Sequence, residues 1–518
     1  MAVIDFFDRG WGIDPTATAY RTDDEVWSYE RAGQLSCQIA NALLASGSKR
    51  ETKIAVLSPN QPLAWICVLG IWRAGAAWVP LNPASPIDDT SALVRRFDVE
   101  FLFYDVSLAE HAARIRTDNP ALRLVALSPG VEDADLATWV EGHPDSAPNI
   151  SYDMDDVVAI APTGGTTGLP KGVMNTHRSL SVMVAHQLMA LAYEPGARIV
   201  NLAAAPMTHT AGMLTLQTTA RGGQVVIVPR GSVDQVLPAI EKFGVTDLFL
   251  PPTVIYRMLD VLEHRQADTS SLRYLLYGAA PMSVGKLRAG IERLGPVFLE
   301  VYGQMEAPAA ISFMRPEEHL DVDGHITGDD RLQSCGRAYP LVRLAIKNPA
   351  TGAELPAGET GEVCVRGDLL MKGYYKDPDR TDETIRDGWL HTGDLGHLDS
   401  AGYLHVTDRT KDMIITGGFN VYPTEVEQVI WSHPAVEDCA VVGAPDEDWG
   451  ERVTAVVETK PERSVTAEEL ITLCRERLGG VRTPKEVVFV DQLPRSVNGK
   501  VLKKDIRARF WATAGRAI

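Results

Sequence analysis

The residues Thr163-Gly164-Gly165-Thr166-Thr167-Gly168-Leu169-Pro170-Lys171-Gly172 have the composition of a phosphate-binding turn. The glycines let the backbone curl and point its N–H groups inward. Thr163, Thr166 and Thr167 add hydroxyl donors, and Lys171 adds a positive charge. An ordinary flexible loop can share this composition, so the motif takes its weight from what accompanies it. No Gly-Lys-Ser/Thr follows at Walker spacing and the pattern is not G-x-G-x-x-G, so it matches neither common nucleotide loop. Carboxylates and a lysine recur downstream in short glycine-bearing stretches: Tyr302-Gly303-Gln304-Met305-Glu306, Trp389 to Asp394, and Pro494 to Lys500.

These residues need elements to position them. Val157 to Ala161 reads as a buried strand leading into the glycine-rich turn. A helical period follows from about His177 to Tyr193, with Leu180, Val184, Leu188 and Leu191 on one face. Upstream, helix-like segments (Gln34 to Leu44, Leu63 to Trp72) alternate with strand-like ones (Lys53 to Leu57, Ala77 to Leu81, Glu100 to Tyr104, Leu122 to Leu127). Downstream the strands resume near Arg198 to Leu202, Gln224 to Val228, Asp247 to Leu250 and Tyr274 to Leu276. Such alternation predicts an α/β protein whose parallel sheet is covered on both faces. After about Gly336, short runs separated by Gly, Pro and Asp turns predict a small barrel-like or antiparallel region. Beyond the charged knot Asp408-Arg409-Thr410-Lys411-Asp412, a small C-terminal α+β domain is expected, with helices near Thr424 to Trp431 and Ala467 to Leu478.

At 518 residues the chain is too long for one ordinary core. A net charge of −18 argues against broad nucleic-acid binding and against anionic membrane surfaces. The six cysteines form no C-x-x-C pair, which suits a reduced, cytoplasmic protein. The first residues carry Asp5 and Asp8 where a signal peptide needs an apolar core, and the longest apolar stretch is too short to span a bilayer.

The glycine-rich turn resembles the signature of the adenylate-forming (AMP-binding) acyl-CoA synthetase family, with Gly164 where that family has Ser. Further stretches follow in the family's order. Tyr277-Gly278-Ala279-Ala280-Pro281 resembles the adenine-side loop. In Tyr302-Gly303-Gln304-Met305-Glu306 the resemblance implies an aromatic ring near adenine and Mg2+ on Glu306. Met305 replaces the family's threonine, whose hydroxyl meets the AMP phosphate; a thioether cannot donate there. In Trp389 to Leu395 the resemblance implies that Asp394 takes the ribose hydroxyls, a fit for a carboxylate with two acceptor oxygens, with Arg409 assisting. Lys411 falls at the family's hinge, and Lys500 matches the lysine that reaches the carboxylate and α-phosphate. Gly417, Gly418 and Phe419, with Trp449, match segments bordering the coenzyme A tunnel. Ala205 to Met213 aligns with the acyl-pocket stretch, which nominates Met207, His209, Ala211, Gly212 and Met213, together with Ala307. His209 would gate the thiol's approach, with a satisfied core histidine as the alternative reading of that residue.

The resemblance implies a large N-terminal domain of stacked sheets and helices, residues 1–410, and a swivelling C-terminal domain, residues 411–518. It implies ATP or an acyl-adenylate, Mg2+ and coenzyme A as ligands, and a carboxylate–CoA ligase as the activity. No acidic residue lies between Ala203 and Leu216 to hold an ammonium, so an α-amino acid is disfavoured and a bulky apolar acid expected. Three alternatives stay open. One is a ligase weak in adenylation that works mainly on a supplied acyl-adenylate, with a partner enzyme as its source. The others are a non-catalytic AMP-binding protein and a domain that loads a carrier protein. A homodimer is compatible with all of them.

Overall fold

The computed structural model describes residues 1–512 apart from 164–169, 209, 230, 410, 447–448, 462 and 497–499. In a seven-stranded sheet the strands Lys53–Leu57, Ala77–Leu81, Phe101–Tyr104 and Arg123–Ala126 run parallel, and Val157–Thr163 joins them. Ala77–Leu81 is an unbroken apolar run because both its faces are covered, and every residue in it is buried. Helix Pro62–Arg73 is buried almost all round. Its Trp65 and Trp72 meet Trp78 edge-to-face, with ring centroids 5.7 and 6.1 Å from it.

A nine-stranded sheet carries the second half of the large domain. Val200–Ala203, Gln224–Ile227, Asp247–Phe249, Tyr274–Gly278 and Phe298–Gln304 are parallel, and Ala307–Met314 turns back antiparallel. The expected antiparallel region is a five-stranded sheet that includes Gly361–Arg366, Trp389–Leu398 and Leu404–Arg409. A fourth sheet, built on Val436–Asp446 and Gly450–Thr459, carries helices Pro423–Trp431 and Ala467–Leu478. The architecture is mixed α/β, with a large N-terminal and a small C-terminal domain.

One expectation changes. The glycine-rich turn does not lead from a strand into a helix. A second strand, Lys171–Thr176, pairs antiparallel with Val157–Thr163, and helix His177–Ala190 begins only after it. Thr163 and Lys171 are therefore cross-strand partners at the mouth of a hairpin.

Strand Leu404–Arg409 ends at a buried charge network that reaches into the small domain. Asp408 accepts from the Arg409 and Thr424 backbone N–H groups at 2.8 and 3.1 Å. Lys503 meets Glu427 at 2.7 Å, with the Glu427 side chain only 3% exposed, and Glu427 also accepts from Val441 N–H. Burial raises the Glu427 and Asp408 carboxyls, and Lys503 opposes this in both. Burial would lower the Lys503 ammonium, but Glu427 and Asp408 outweigh it and hold it above its ordinary value. Removing one partner of such a pair strands the other. Lys503→Met is therefore expected to cost about 3 kcal/mol in denaturant unfolding of the full chain, and adding Glu427→Gln should recover most of it.

Candidate active site

Asp394 and Arg409 face each other across an antiparallel strand pair, which fixes their approach before any side-chain contact is considered. Arg409 Nε lies 3.1 Å from Asp394 Oδ1, and the Tyr302 hydroxyl donates to Oδ2 at 2.6 Å. Asp394 is 5% exposed, so these partners stand in for water. The expected ribose-binding carboxylate and the expected adenine-side ring are thus bonded to each other.

Strands Phe298–Gln304 and Ala307–Met314 form a tight hairpin, with Met305 and Glu306 at its turn. Gly303 is required here, because a Cβ would come within 2.7 Å of Ala309 N. Gly278 is required too, since its Cβ would meet the Val301 carbonyl. Ala279 and Ala309 both hold left-handed backbone, φ 64° and 48°, and such strain collects at functional sites. Gln304 has a buried Nε2 without a hydrogen-bond partner among the described residues. The Met305 carbonyl accepts from Asn175 Nδ2 at 3.4 Å, while its thioether packs against the main core.

Glu306 is held by a residue that the sequence did not nominate. The Tyr374 hydroxyl donates to Glu306 Oε1 at 2.7 Å, and Lys171 Nζ stands 4.5 Å over the Tyr374 ring. Tyr374 reaches this position because Gly373–Tyr374 pairs with strand Lys171–Thr176. Only the Gly-Tyr pair in an otherwise turn-like segment could have hinted at it. One Glu306 oxygen is spoken for by Tyr374, and the other has no hydrogen bond among the described residues. A single carboxylate completed by phosphate oxygens and water fits the coordination habits of Mg2+.

Three lysines converge on these acids. Burial lowers the Lys500 ammonium, as do Arg409 and Lys411, while Asp394 and Asp412 oppose it. Lys411 is lowered by burial, then by Arg409 and Lys171. Lys171 is lowered by burial and Arg380, against Glu306 and Asp377. Lys500 nonetheless keeps an exposed surface. The structure thus brings Lys171, Glu306, Tyr302, Asp394, Arg409, Lys411 and Lys500 into one electrostatic neighbourhood. Gly164, Gly165, Thr166, Thr167 and Gly168 lie outside the described residues, as does His209.

The residues expected at coenzyme A form a second constellation on the small domain. Gly417 and Gly418 take left-handed φ of 56° and 82° in a hairpin that presents Phe419, 57% exposed. Trp449, half exposed, covers Gly417 so closely that a Cβ would strike its ring. Of the acyl residues, Met207, Met213 and Ala307 are buried in the main core, and Gly212 is pressed between the Met207 carbonyl and Trp65. Ala211 lines a small cavity.

A buried carboxylate beside an arginine, under converging lysines and next to a threonine-bearing hairpin, is equipped to hold a nucleotide phosphate. Comparison with known proteins agrees. Residues 7–375 match the AMP-binding enzymes, and residues 425–500 match the AMP-binding enzyme C-terminal domain. The chain belongs to the AMP-binding enzyme family, as an adenylate-forming acid–thiol ligase of the acyl-CoA synthetase type. It is 36% identical to a medium/long-chain fatty-acid–CoA ligase of Mycobacterium tuberculosis, over 94% of this chain and 86% of that one. It is 35% identical to a feruloyl-CoA synthase of an Amycolatopsis species, covering 96% and 97% of the two chains. Among solved structures, the amide bond synthetase McbA from Marinactinospora thermotolerans superposes with a TM-score of 0.88 at 30% identity, covering 98% of this chain and 100% of that one. No helix among the described residues is long and apolar enough to cross a membrane.

Membership of the AMP-binding enzymes makes the Tyr374–Glu306 contact testable. Tyr374→Phe removes the donor that orients Glu306 while keeping the ring under Lys171. The Mg2+ concentration for half-maximal ATP–pyrophosphate exchange should rise about tenfold, with little change in melting temperature.

Proposed function

We propose that the protein joins a bulky, largely apolar carboxylic acid to coenzyme A through an acyl-adenylate formed from ATP. The observation that supports this reading is that Lys500 lies within the electrostatic field of Arg409 and Asp394.

In the first step a carboxylate oxygen attacks the α-phosphorus of ATP. A P–O bond to the acid forms and the bond to pyrophosphate breaks. Asp394 holds the ribose hydroxyls, with the Tyr302 hydroxyl yielding its place on Oδ2. Arg409 and Lys500 stabilise charge developing on the phosphate, which is the largest lever such a site has. Thr163 and Lys171 flank the turn that receives the phosphates. Glu306, oriented by Tyr374, would hold Mg2+, which supplies charge neutralisation on the phosphate oxygens when bound. In the second step the small domain turns about Lys411 and Lys500 withdraws. The thiol sulfur of coenzyme A, guided by Gly417, Gly418, Phe419 and Trp449, attacks the acyl carbon. The thioester forms, AMP leaves, and the thiol proton passes to solvent. The mixed anhydride divides one difficult acyl transfer into two easier ones.

A second reading rests on Met305. Losing one donor aimed at developing charge costs about 3 kcal/mol of barrier, a hundredfold or more in rate. This loss falls on attack at phosphorus and spares thiol attack on an adenylate already made. ATP–pyrophosphate exchange with a panel of acids separates the two. Brisk exchange by the wild-type chain, abolished by Lys500→Ala, is expected for a complete ligase. Lys500→Ala should still convert a supplied acyl-adenylate and coenzyme A to thioester. Exchange that is barely measurable, and is restored about a hundredfold by Met305→Thr, would instead establish the second reading.

A further inference from the structure

Strands Gly361–Arg366 and Trp389–Leu398 pair antiparallel with Cys364 directly opposite His391. Glu362 comes two residues before Cys364, a spacing that sends both side chains to one face of the sheet. The register shifts between them, so that Thr392, Gly393 and Asp394 stand opposite Val363 alone. Pairing thereby brings a thiol, an imidazole and a carboxylate to one place. His391 Nδ1 lies 2.7 Å from Glu362 Oε2 and 3.5 Å from Cys364 Sγ. Each of the three residues offers one ligand atom, and these atoms all lie within 4.8 Å of one another.

Hydrogen bonding alone does not satisfy this arrangement. Nδ1 carries either a proton or a lone pair. With the proton it donates to Glu362 and has nothing with which to accept the Cys364 S–H. With the lone pair it accepts from the thiol but opposes the carboxylate. A cation among the three takes a lone pair from each. The sulfur–nitrogen separation already suits two ligands of one tetrahedral zinc, about 3.6 Å for bonds of about 2.3 and 2.1 Å. The nitrogen–oxygen pair needs to open by about half an ångström. A carboxylate turning about its other oxygen, on which Gly393 N–H donates at 3.1 Å, can do that. Two protein cations lie nearby. Arg386 stands 3.9 Å from Glu362 on a side chain exposed enough to swing into water, and Lys347 Nζ lies over the Trp389 ring at 4.2 Å.

We propose that Glu362, Cys364 and His391 form a binding site for a divalent transition-metal ion of the zinc kind, with water as its fourth ligand. The thiol proton leaves to solvent as the sulfur takes the ion. Thiolate and imidazole favour zinc over Mg2+, which keeps to oxygen ligands. The ion ties the two strands together immediately before the bulge that presents Asp394, a structural role separate from acyl transfer.

The full-length chain, stripped with a chelator and kept reduced, is titrated with Co2+ alone. A sulfur-to-cobalt absorption band is expected, reaching its plateau at one equivalent per chain. One equivalent of Zn2+ should abolish the band and excess Mg2+ should leave it unchanged. Cys364→Ser should lack the band. His391→Asn and Glu362→Gln, with circular dichroism as the check on folding, should weaken Zn2+ binding by about tenfold or more. Absence of the band in the wild-type chain would overturn the proposal, as would its survival in Cys364→Ser or undiminished Zn2+ affinity in His391→Asn. Should the cysteine variant not fold, zinc X-ray absorption on the wild-type chain decides. One sulfur at about 2.3 Å with two or three nitrogen or oxygen neighbours is expected, and no sulfur, or more than one, sinks the site.

Discussion

The cleft depends on one buried carboxylate. Asp394 is shut away from water, yet it faces Arg409 across the sheet and has Lys500 and Lys411 within its field. Unit charges a few ångströms apart in such surroundings interact by a few kcal/mol. Without Asp394, the arginine and the lysines would be left with Asp412 and Glu306 to offset their repulsion. With it they form a positive recess in a protein whose net charge is −18. That contrast makes the recess selective: a polyanion is repelled by most of the surface and drawn to one place on it.

The same balance gives a physical reason for the order of events in the proposed cycle. All three lysines are depressed, first by burial and then by a neighbouring cation, so each is held at some cost. A bound triphosphate relieves that cost. Departure of pyrophosphate removes much of the compensating charge and leaves Lys500, Lys411 and Arg409 opposed again. In the proposed cycle, a small domain carrying Lys500 lowers its energy by turning away, which opens the route for the thiol. The Lys503–Glu427 pair joins helix Pro423–Trp431 to the C-terminal segment that carries Lys503 and ties the small domain together.

How much of this the sequence disclosed follows the range of each interaction. Strands such as Lys53–Leu57 and Ala77–Leu81, and helix Ala467–Leu478, fall where local pattern places them, because their burial is written in continuous or periodic apolar runs. Strand Lys171–Thr176 was not legible: Lys-Gly-Val-Met-Asn-Thr has neither clean alternation nor an apolar run, and it exists because Val157–Thr163 and Gly373–Tyr374 pair on either side of it. Tyr374 was missed for a related reason. It bonds to a glutamate 68 residues away, and nothing near it in the chain announces that partner. Motifs report the groups expected at the substrate; the groups that hold those in place are fixed by tertiary pairing.

Met305 shows how far the scaffold can absorb a departure from pattern. The turn it occupies is held through its backbone, by Asn175 Nδ2 on the carbonyl and by the Gly303–Ala309 close approach, so a hydroxyl at this position is not needed to shape the hairpin. Glu306, the next residue, is fixed independently by Tyr374 and by Met371 N–H on its carbonyl. What the substitution removes is one neutral donor. Charged donors are roughly twice as strong as neutral ones, and this cleft retains Lys171, Arg409 and Lys500. The missing hydroxyl therefore takes away a fraction of the phosphate's stabilisation without disturbing the geometry that delivers the rest. On this ground the complete two-step ligase is the better reading of the two.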